Sequence, residues 1–455
     1  MRGARPRATS PRRGGKKPII GAMLRMSHGV ALCVLTLLVM GVVMVNSAGL
    51  SVPPDLSLLQ SGMVTEAQWD RMVAAYRPIS FEQVFFGRTT ILAALALVAM
   101  FLGSRVDIER VFRARGTLSP IPWILALMVV LLVLVHVPGV GREVNNSARW
   151  LGPPSIGFQP SEFAKWGMLV VVAWYCVRHG DRLRSFWRGF VPAMGAITVV
   201  CALIGKEDLG TAVLVFASST LVLLIGGARW WHVGMLAPIG GALAWLAILT
   251  SPYRMNRLLA WRDPWADAEG IGYHVIQSMG AISGGGLTGR GLGNSLQKFG
   301  YLPEDTTDFI YAIVCEELGI MGSVLVVALY AGVLLFGLAI VNRGASRPEA
   351  DRIVPPFSRL FGVGVLLTFG LQALINLLVV TGLAPTKGIA LPLLSSGGSG
   401  WLMIGASIGG LLSIERFAMR REEELGLVDE DGVEVLDDAA ADAAPARTDA
   451  PILTA

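Results

Sequence analysis

The stretch best suited to chemistry is Tyr301-Leu-Pro-Glu-Asp-Thr-Thr-Asp308-Phe-Ile-Tyr-Ala-Ile-Val-Cys-Glu316-Glu317. A polar, acidic run meets a long apolar one, and Asp308 falls at the junction. An acid there has two readings. It caps the apolar helix, satisfying free N–H groups and complementing the dipole, or it is held where burial tunes it for proton transfer. Other polar residues interrupt apolar runs. Glu162 and Lys165, in Gln159-Pro-Ser-Glu162-Phe-Ala-Lys165, are three apart on one helix face. They form an ion pair that makes two charges tolerable inside a bundle, or they line a cavity. Lys206-Glu207-Asp208-Leu-Gly-Thr211 is a polar turn; Asp208 either caps the next helix or faces the same pocket as Glu162. Ser395-Ser-Gly-Gly-Ser-Gly400 opens another apolar run, so its free N–H groups could hold an anion. The competing reading is close helix packing, which Gly405-xxx-Gly409 further along supports.

Several chemistries drop out. The Gly-rich run Gly284 to Gly293 lacks the Gly-Lys-Ser/Thr ending of a phosphate loop and does not link a strand to a helix. It reads as a tightly folded loop, with Arg290 and Lys298 as contacts for an anionic substrate. His136 and His274 stand alone, and no zinc set or Ser-His-Asp arrangement can be built on them. Cys33, Cys176, Cys201 and Cys315 lie in apolar runs without ligand or disulfide spacing.

The elements that position these residues are membrane helices. The chain is 53% hydrophobic and 16% charged, with mean hydropathy +0.59; soluble domains carry about 25% charged residues. We read an all-α integral membrane protein of about ten transmembrane helices, near 28–48, 87–104, 120–139, 160–177, 189–205, 209–227, 232–250, 309–341, 359–382 and 400–416. The largest loop, 251–308, joins the seventh and eighth. With the N-terminus inside, 24 Lys and Arg fall in inner segments against 12 in outer loops, so both termini are expected in the cytoplasm. The charges sit at membrane edges, and the net +5 is no argument for nucleic acid. Residues 1–27 read as a disordered basic arm before a retained first helix, 28–418 as the membrane domain, and 419–455 as a disordered acidic tail. In this topology Glu162, Asp208, Asp308 and Lys387 reach one outer face.

Taken together these runs resemble the SEDS family of shape, elongation, division and sporulation proteins, the FtsW/RodA group. The matching runs are Arg149-Trp-Leu-Gly with Phe158-Gln-Pro-Ser-Glu-Phe-Ala-Lys165, Asp208-Leu-Gly-Thr-Ala, Gly272-Tyr-His-Val-Ile-Gln277-Ser, Gly291-Leu-Gly-Asn-Ser-Leu-Gln-Lys298, Leu302-Pro-Glu304 with Thr307-Asp308-Phe, Glu316-Glu-Leu-Gly319, and Lys387-Gly with Leu391-Pro and Ser396-Gly-Gly-Ser399. Glu316-Glu317-Leu-Gly and Thr386-Lys387-Gly look like the division branch. Thr306 stands where the family usually has His, Lys206-Glu207 where it has Gln-Pro, Ser396 where it has an aromatic and Gly400 where it has Ser.

The resemblance implies a peptidoglycan glycosyltransferase that polymerises lipid II at the outer face of the bacterial inner membrane during septal wall synthesis. It implies Asp308 as the general base. Glu162, Lys165, Asp208, Arg149, Lys387, Ser396, Gly397 and Gly398 would bind substrate. A divalent cation, Mg or Mn, is implied without a dedicated site. The implied partners are a class B penicillin-binding transpeptidase and other divisome proteins. Two rival readings are a lipid II flippase or other transporter and a structural division scaffold; an elongation-type polymerase is the alternative within the family.

Overall fold

The computed structural model describes residues 25–49, 65–66, 69–70, 81–113, 119–144, 147–153, 157–298, 302–345 and 353–425. Nearly all of the expected basic arm, and the expected acidic tail beyond Leu425, lie outside the described residues.

Helices occupy all ten segments in which spans are expected. They are α1 (Met26–Ala48), α2 (Arg88–Arg105), α3 (Pro120–Leu134), α4 (Pro160–Arg178), α5 (Val191–Gly205), α6 (Leu209–Ile225) and α7 (Trp230–Leu249), then, in the large loop, α8 (Pro252–Arg262) and α9 (Tyr273–Gly284), and finally α10 (Ile310–Val341), α11 (Pro356–Val380) and α12 (Ser399–Glu424). Proline in the first turn starts α3, α4, α8 and α11, where its missing N–H costs no helical bond. Among the described residues seven of these helices are long and apolar enough to cross a membrane: α1, α2, α5 with its leading π turn, α7, α10, α11 and α12. The other three fall short for physical reasons. The apolar α3 and α6 are 15 and 17 residues long, and α4 carries Glu162, Lys165 and Arg178. The last helix runs to Glu424, past the boundary expected at 418.

Packing shows which faces meet protein and which meet lipid. In α7 only His232 is buried, while Met235, Ile239, Leu243, Trp245, Leu246 and Leu249 are exposed. A helix that is apolar all round and so bare is suited to hydrocarbon. By contrast α12 lies tightly along α2. A Cβ on Gly405 would stand 2.3 Å from the Ala96 carbonyl oxygen, and one on Gly409 2.2 Å from that of Met100. The small-residue spacing therefore serves close backbone approach.

Among the described residues the fold is helical apart from one hairpin, β1 (Gly141–Val144) paired antiparallel with β2 (Ser147–Leu151). The long α10 is broken at Gly319, whose φ of +65° suits glycine. Into this break fits the Gly-rich loop: Ile320 N–H donates to Gly286 O (3.0 Å), and Gly291 N–H donates to Glu317 O (2.9 Å).

Candidate active site

Four helices begin at one end of the bundle, and their starts are tied together. Gln159 N–H, before α4, donates to Ser399 Oγ at the start of α12 (3.1 Å). Ser396 N–H, before α12, donates to Thr306 O in the loop leading to α10 (2.9 Å). Asp208 caps α6, accepting from Thr211 N–H and Thr211 Oγ1 (both 3.0 Å). From β2, Arg149 reaches Asp208 Oδ2 (3.5 Å) and donates to Glu207 O (2.6 Å). Helix N-termini carry free N–H groups and partial positive charge, so their gathering suits an anionic ligand.

Asp308 stands in this gathering, and it is not a cap: Phe309 takes the N-cap position of α10. Its main-chain oxygen accepts a bond from Asn376 Nδ2 (2.8 Å), and the same amide donates to Ile389 O (2.8 Å). One buried side chain of α11 thus clamps the Asp308 loop to the 383–398 loop. The Asp308 carboxylate has no hydrogen bond or ion pair among the described residues. A Cβ on the neighbouring Gly388 would stand 3.0 Å from its Oδ2. The side chain keeps one edge open but is otherwise packed round by protein. Burial, reinforced by the charges of Glu304 and Asp208 and opposed by Arg257 and Arg149, pushes its pKa up to about 7. Burial also raises Asp305, to about 6.

Cations face these acids. Lys387 lies in the field of Asp208, Arg254 and Arg257; burial first, then the two arginines, hold its ammonium below the usual range, against the pull of Asp208. Arg254 and Arg257 come from α8, which is pinned across the loop ends. Arg257 donates to Thr386 O (3.2 Å), Arg254 to Gly205 O (3.2 Å) and Trp261 Nε1 to Gly382 O (3.0 Å). His274 is lowered by burial and by Arg257, against Glu304.

The expected residues divide into three groups. Asp308, Asp208, Arg149 and Lys387 come together as one charged cluster. Ser396, Gly397 and Gly398 form the turn into α12. There Gly398 has φ +48°, with Trp150 3.9 Å from where its Cβ would lie. Glu162 lies under this turn, its Oε2 3.3 Å from a Cβ on Gly400. Its partner Lys165 is 1% exposed. Lys165 Nζ donates to Glu162 Oε1 and Gln372 Oε1 (both 2.8 Å), and Gln372 Nε2 donates to Ala390 O (2.8 Å). In this structure the Lys165 ammonium is spent on protein and supports the loop from beneath.

Arg290 and Lys298 are likewise drawn to protein partners. Lys298 Nζ pairs with Glu317 (3.2 Å), fully enclosed, and Arg290 lies 3.6 Å from Glu316. Ser47 Oγ donates to Glu317 (2.7 Å), Leu296 N–H to Glu316 (3.0 Å), and Ser295 Oγ also donates to Glu316. The two acids organise the Gly-rich loop.

Sequence reasoning missed Arg254, Arg257, Gln372 and Asn376. The signals were present: arginines at i, i+3 on an amphipathic helix, and amides at i, i+4 inside a long apolar helix. Two residues in the site loops hold positive φ without being glycine, Glu304 (57°) and Leu393 (62°). Such strain persists only where surroundings enforce it. Among the described residues no three His, Cys, Asp or Glu side chains gather closely enough to hold a metal ion. The described residues alone therefore do not form a cation cage.

Comparison with known proteins follows the same outline. The FtsW/RodA/SpoVE family, described as "Cell cycle protein", matches residues 56–420. The chain is 36% identical over 392 residues to the "Probable peptidoglycan glycosyltransferase FtsW" of Alkalilimnicola ehrlichii, covering 86% of this chain and 89% of that protein. It is 36% identical to the "Stage V sporulation protein E" of Bacillus subtilis, covering 80% and 95%. In a solved structure described as "Structural coordination of polymerization and crosslinking by a peptidoglycan synthase complex", a similar chain gives a TM-score of 0.62 at 26% identity, covering 86% of this chain and 98% of that one. The crystal structure of the Thermus thermophilus rod shape determining protein RodA gives 0.53 at 25% identity, covering 85% and 96%.

Proposed function

The chain belongs to the FtsW/RodA/SpoVE family of cell cycle proteins, and from that premise we propose that it is a peptidoglycan glycosyltransferase of the division type, polymerising lipid II into glycan strands. Relatives named for FtsW are 36–42% identical to it and the stage V sporulation protein E is 36% identical, whereas the RodA likeness stands at 25%. One observation carries the site assignment: Asp308 is an acid whose carboxylate has no bond among the described residues, raised to about 7 in the field of Arg257 and Arg149, with Lys387 beside the neighbouring Asp208.

The chemistry needs those parts. Asp308, ionised near neutral pH, takes the proton of the acceptor's 4-hydroxyl. That oxygen bonds to the anomeric carbon of the donor sugar from the opposite face, with inversion. The bond from that carbon to the pyrophosphate oxygen breaks, and undecaprenyl pyrophosphate leaves. Arg149, Arg257 and Lys387, with the helix starts around them, offset the charge growing on the pyrophosphate. The turn Ser396-Gly397-Gly398 offers backbone N–H groups where no side chain obstructs a sugar.

The same reading has the chain cross the inner membrane ten times, with both termini cytoplasmic and the protein enriched at the division septum. A class B penicillin-binding transpeptidase works beside it among other division proteins, cross-linking the strands it makes. A Mg or Mn ion would help neutralise the leaving pyrophosphate, with no dedicated site among the described residues.

The deciding experiment incubates the purified protein, alone and with its transpeptidase, with labelled lipid II. Glycan strands that vanish in Asp308→Ala protein are expected. Transfer of lipid II across liposomes without strands would make the chain a flippase, and neither result would make it a scaffold.

A further inference from the structure

At the end of the bundle opposite Asp308, a cavity of about 50 Å³ opens between the end of α2, the first turn of α11 and the last third of α12. It lies some 17 residues down α12 from Ser399, or roughly 25 Å along the axis at 1.5 Å per residue. Three arginines meet there: Arg105 from α2, and Arg416 and Arg420 from α12. The charges of Arg105 and Arg420 act against that of Arg416, which is half-buried. Arg105 stacks over the Phe101 ring at 4.6 Å. Neither Arg416 nor Arg420 has an ion pair among the described residues.

The two acids in the wall are engaged elsewhere. Asp107 is bridged by Arg110 (2.9 Å), and Glu109 accepts a hydrogen bond from the Ser358 hydroxyl (3.0 Å). Three guanidinium groups gathered round one cavity repel one another, and an anion between them relieves the repulsion with charge-assisted bonds. Guanidinium forks match phosphate oxygens in geometry as well as charge. The site opens at a membrane edge, where the phosphates of anionic lipids are the concentrated anion.

We propose that this cavity binds a phosphate group, of the kind carried by an anionic phospholipid head group, and that the lipid seats α12 against α2. The site lies away from every residue assigned to lipid II chemistry.

The test uses the full chain purified from membranes and reconstituted in phosphatidylcholine vesicles containing phosphatidylglycerol. Native mass spectrometry then counts retained phosphatidylglycerol. Wild type is expected to hold it, and the Arg105→Gln/Arg416→Gln/Arg420→Gln variant to lose about tenfold of that retention. Arg416→Gln alone, expected to lose about threefold, keeps the test readable if the triple variant does not fold. Arg182→Gln/Arg184→Gln/Arg188→Gln removes equal charge from exposed positions elsewhere and should lose nothing. Retention unchanged in the cavity variants, or an equal loss in the control, overturns the proposal. Displacement of the lipid by inorganic phosphate at equal concentration would assign the same chemistry to the free ion.

Discussion

The Asp308 carboxylate draws on no hydrogen bond among the described residues, so burial first and the surrounding charges second set its proton affinity, and two measurements follow. Activity should rise as pH passes upward through about 7, because the base works ionised. Asp308→Asn should remove that limb and cut strand synthesis by about 10³-fold or more. Stability should move the opposite way. A carboxyl whose folded pKa lies above its unfolded value stabilises the fold at low pH, and that contribution is lost as pH climbs from about 4 to about 7. Asp308→Asn should therefore raise the melting temperature at pH 8 and leave it unchanged near pH 4, with a gain of roughly 2 kcal/mol after solvent screening. Thermal melts of both proteins at the two pH values check the sign. A second residue prediction concerns Asn376. Asn376→Ala leaves the Asp308 and Ile389 carbonyl oxygens without their donor, each at a cost of about 1–3 kcal/mol. The expected result is a lower kcat with little change in KM, since the loop that aims the base loosens while the cationic wall stays. Asp308 itself stood out in the sequence because an acid beside an apolar run is rare. Asn376 did not, because an uncharged amide in a helix gives no hint of the two loops it joins.

Elements were legible wherever apolar periodicity or length carried them: eight of the ten helices lie within three residues of expectation, while α3 ends five residues short of 139 and α12 runs eight past 416. Long-range polar pairing was not legible. Lys298 and Arg290 look like substrate contacts in a Gly-rich loop because nothing local reveals Glu317 and Glu316 beside them. Glu317 is met from three sides, by Lys298, Ser47 and the Ser295 N–H. Removing one partner of such a pair strands a buried charge, so Lys298→Met should destabilise the fold by about 3–5 kcal/mol. Lipid II affinity of the protein that still folds should be unchanged, which a binding titration beside the thermal melt would verify. The crossing of α2 and α12 is equally specific. Gly409→Leu drives a side chain into the Met100 carbonyl, and loss of folded protein in membranes is the expected outcome.

For the molecule as a whole, the sequence implies one outer face, and the geometry adds how it is built. Four helix starts are tied by short loops, α8 brings Arg254 and Arg257, and the charged residues come from separate parts of the chain. No local pattern could supply that convergence. One consequence comes from the break at Gly319. Above it, every residue from Ile310 to Glu317 is buried in protein; below it, Ile320, Met321, Val324 and Leu325 turn outward. The lower piece, 22 residues from Ile320 to Val341, spans roughly 33 Å at 1.5 Å per residue, enough to cross the hydrocarbon by itself. The acid is thus mounted on a post sheathed by its own chain, and acyl-chain length touches only the part beneath. Strand synthesis should then vary little between vesicles of short-chain and long-chain lipids, while the bare α7 takes up the mismatch by tilting.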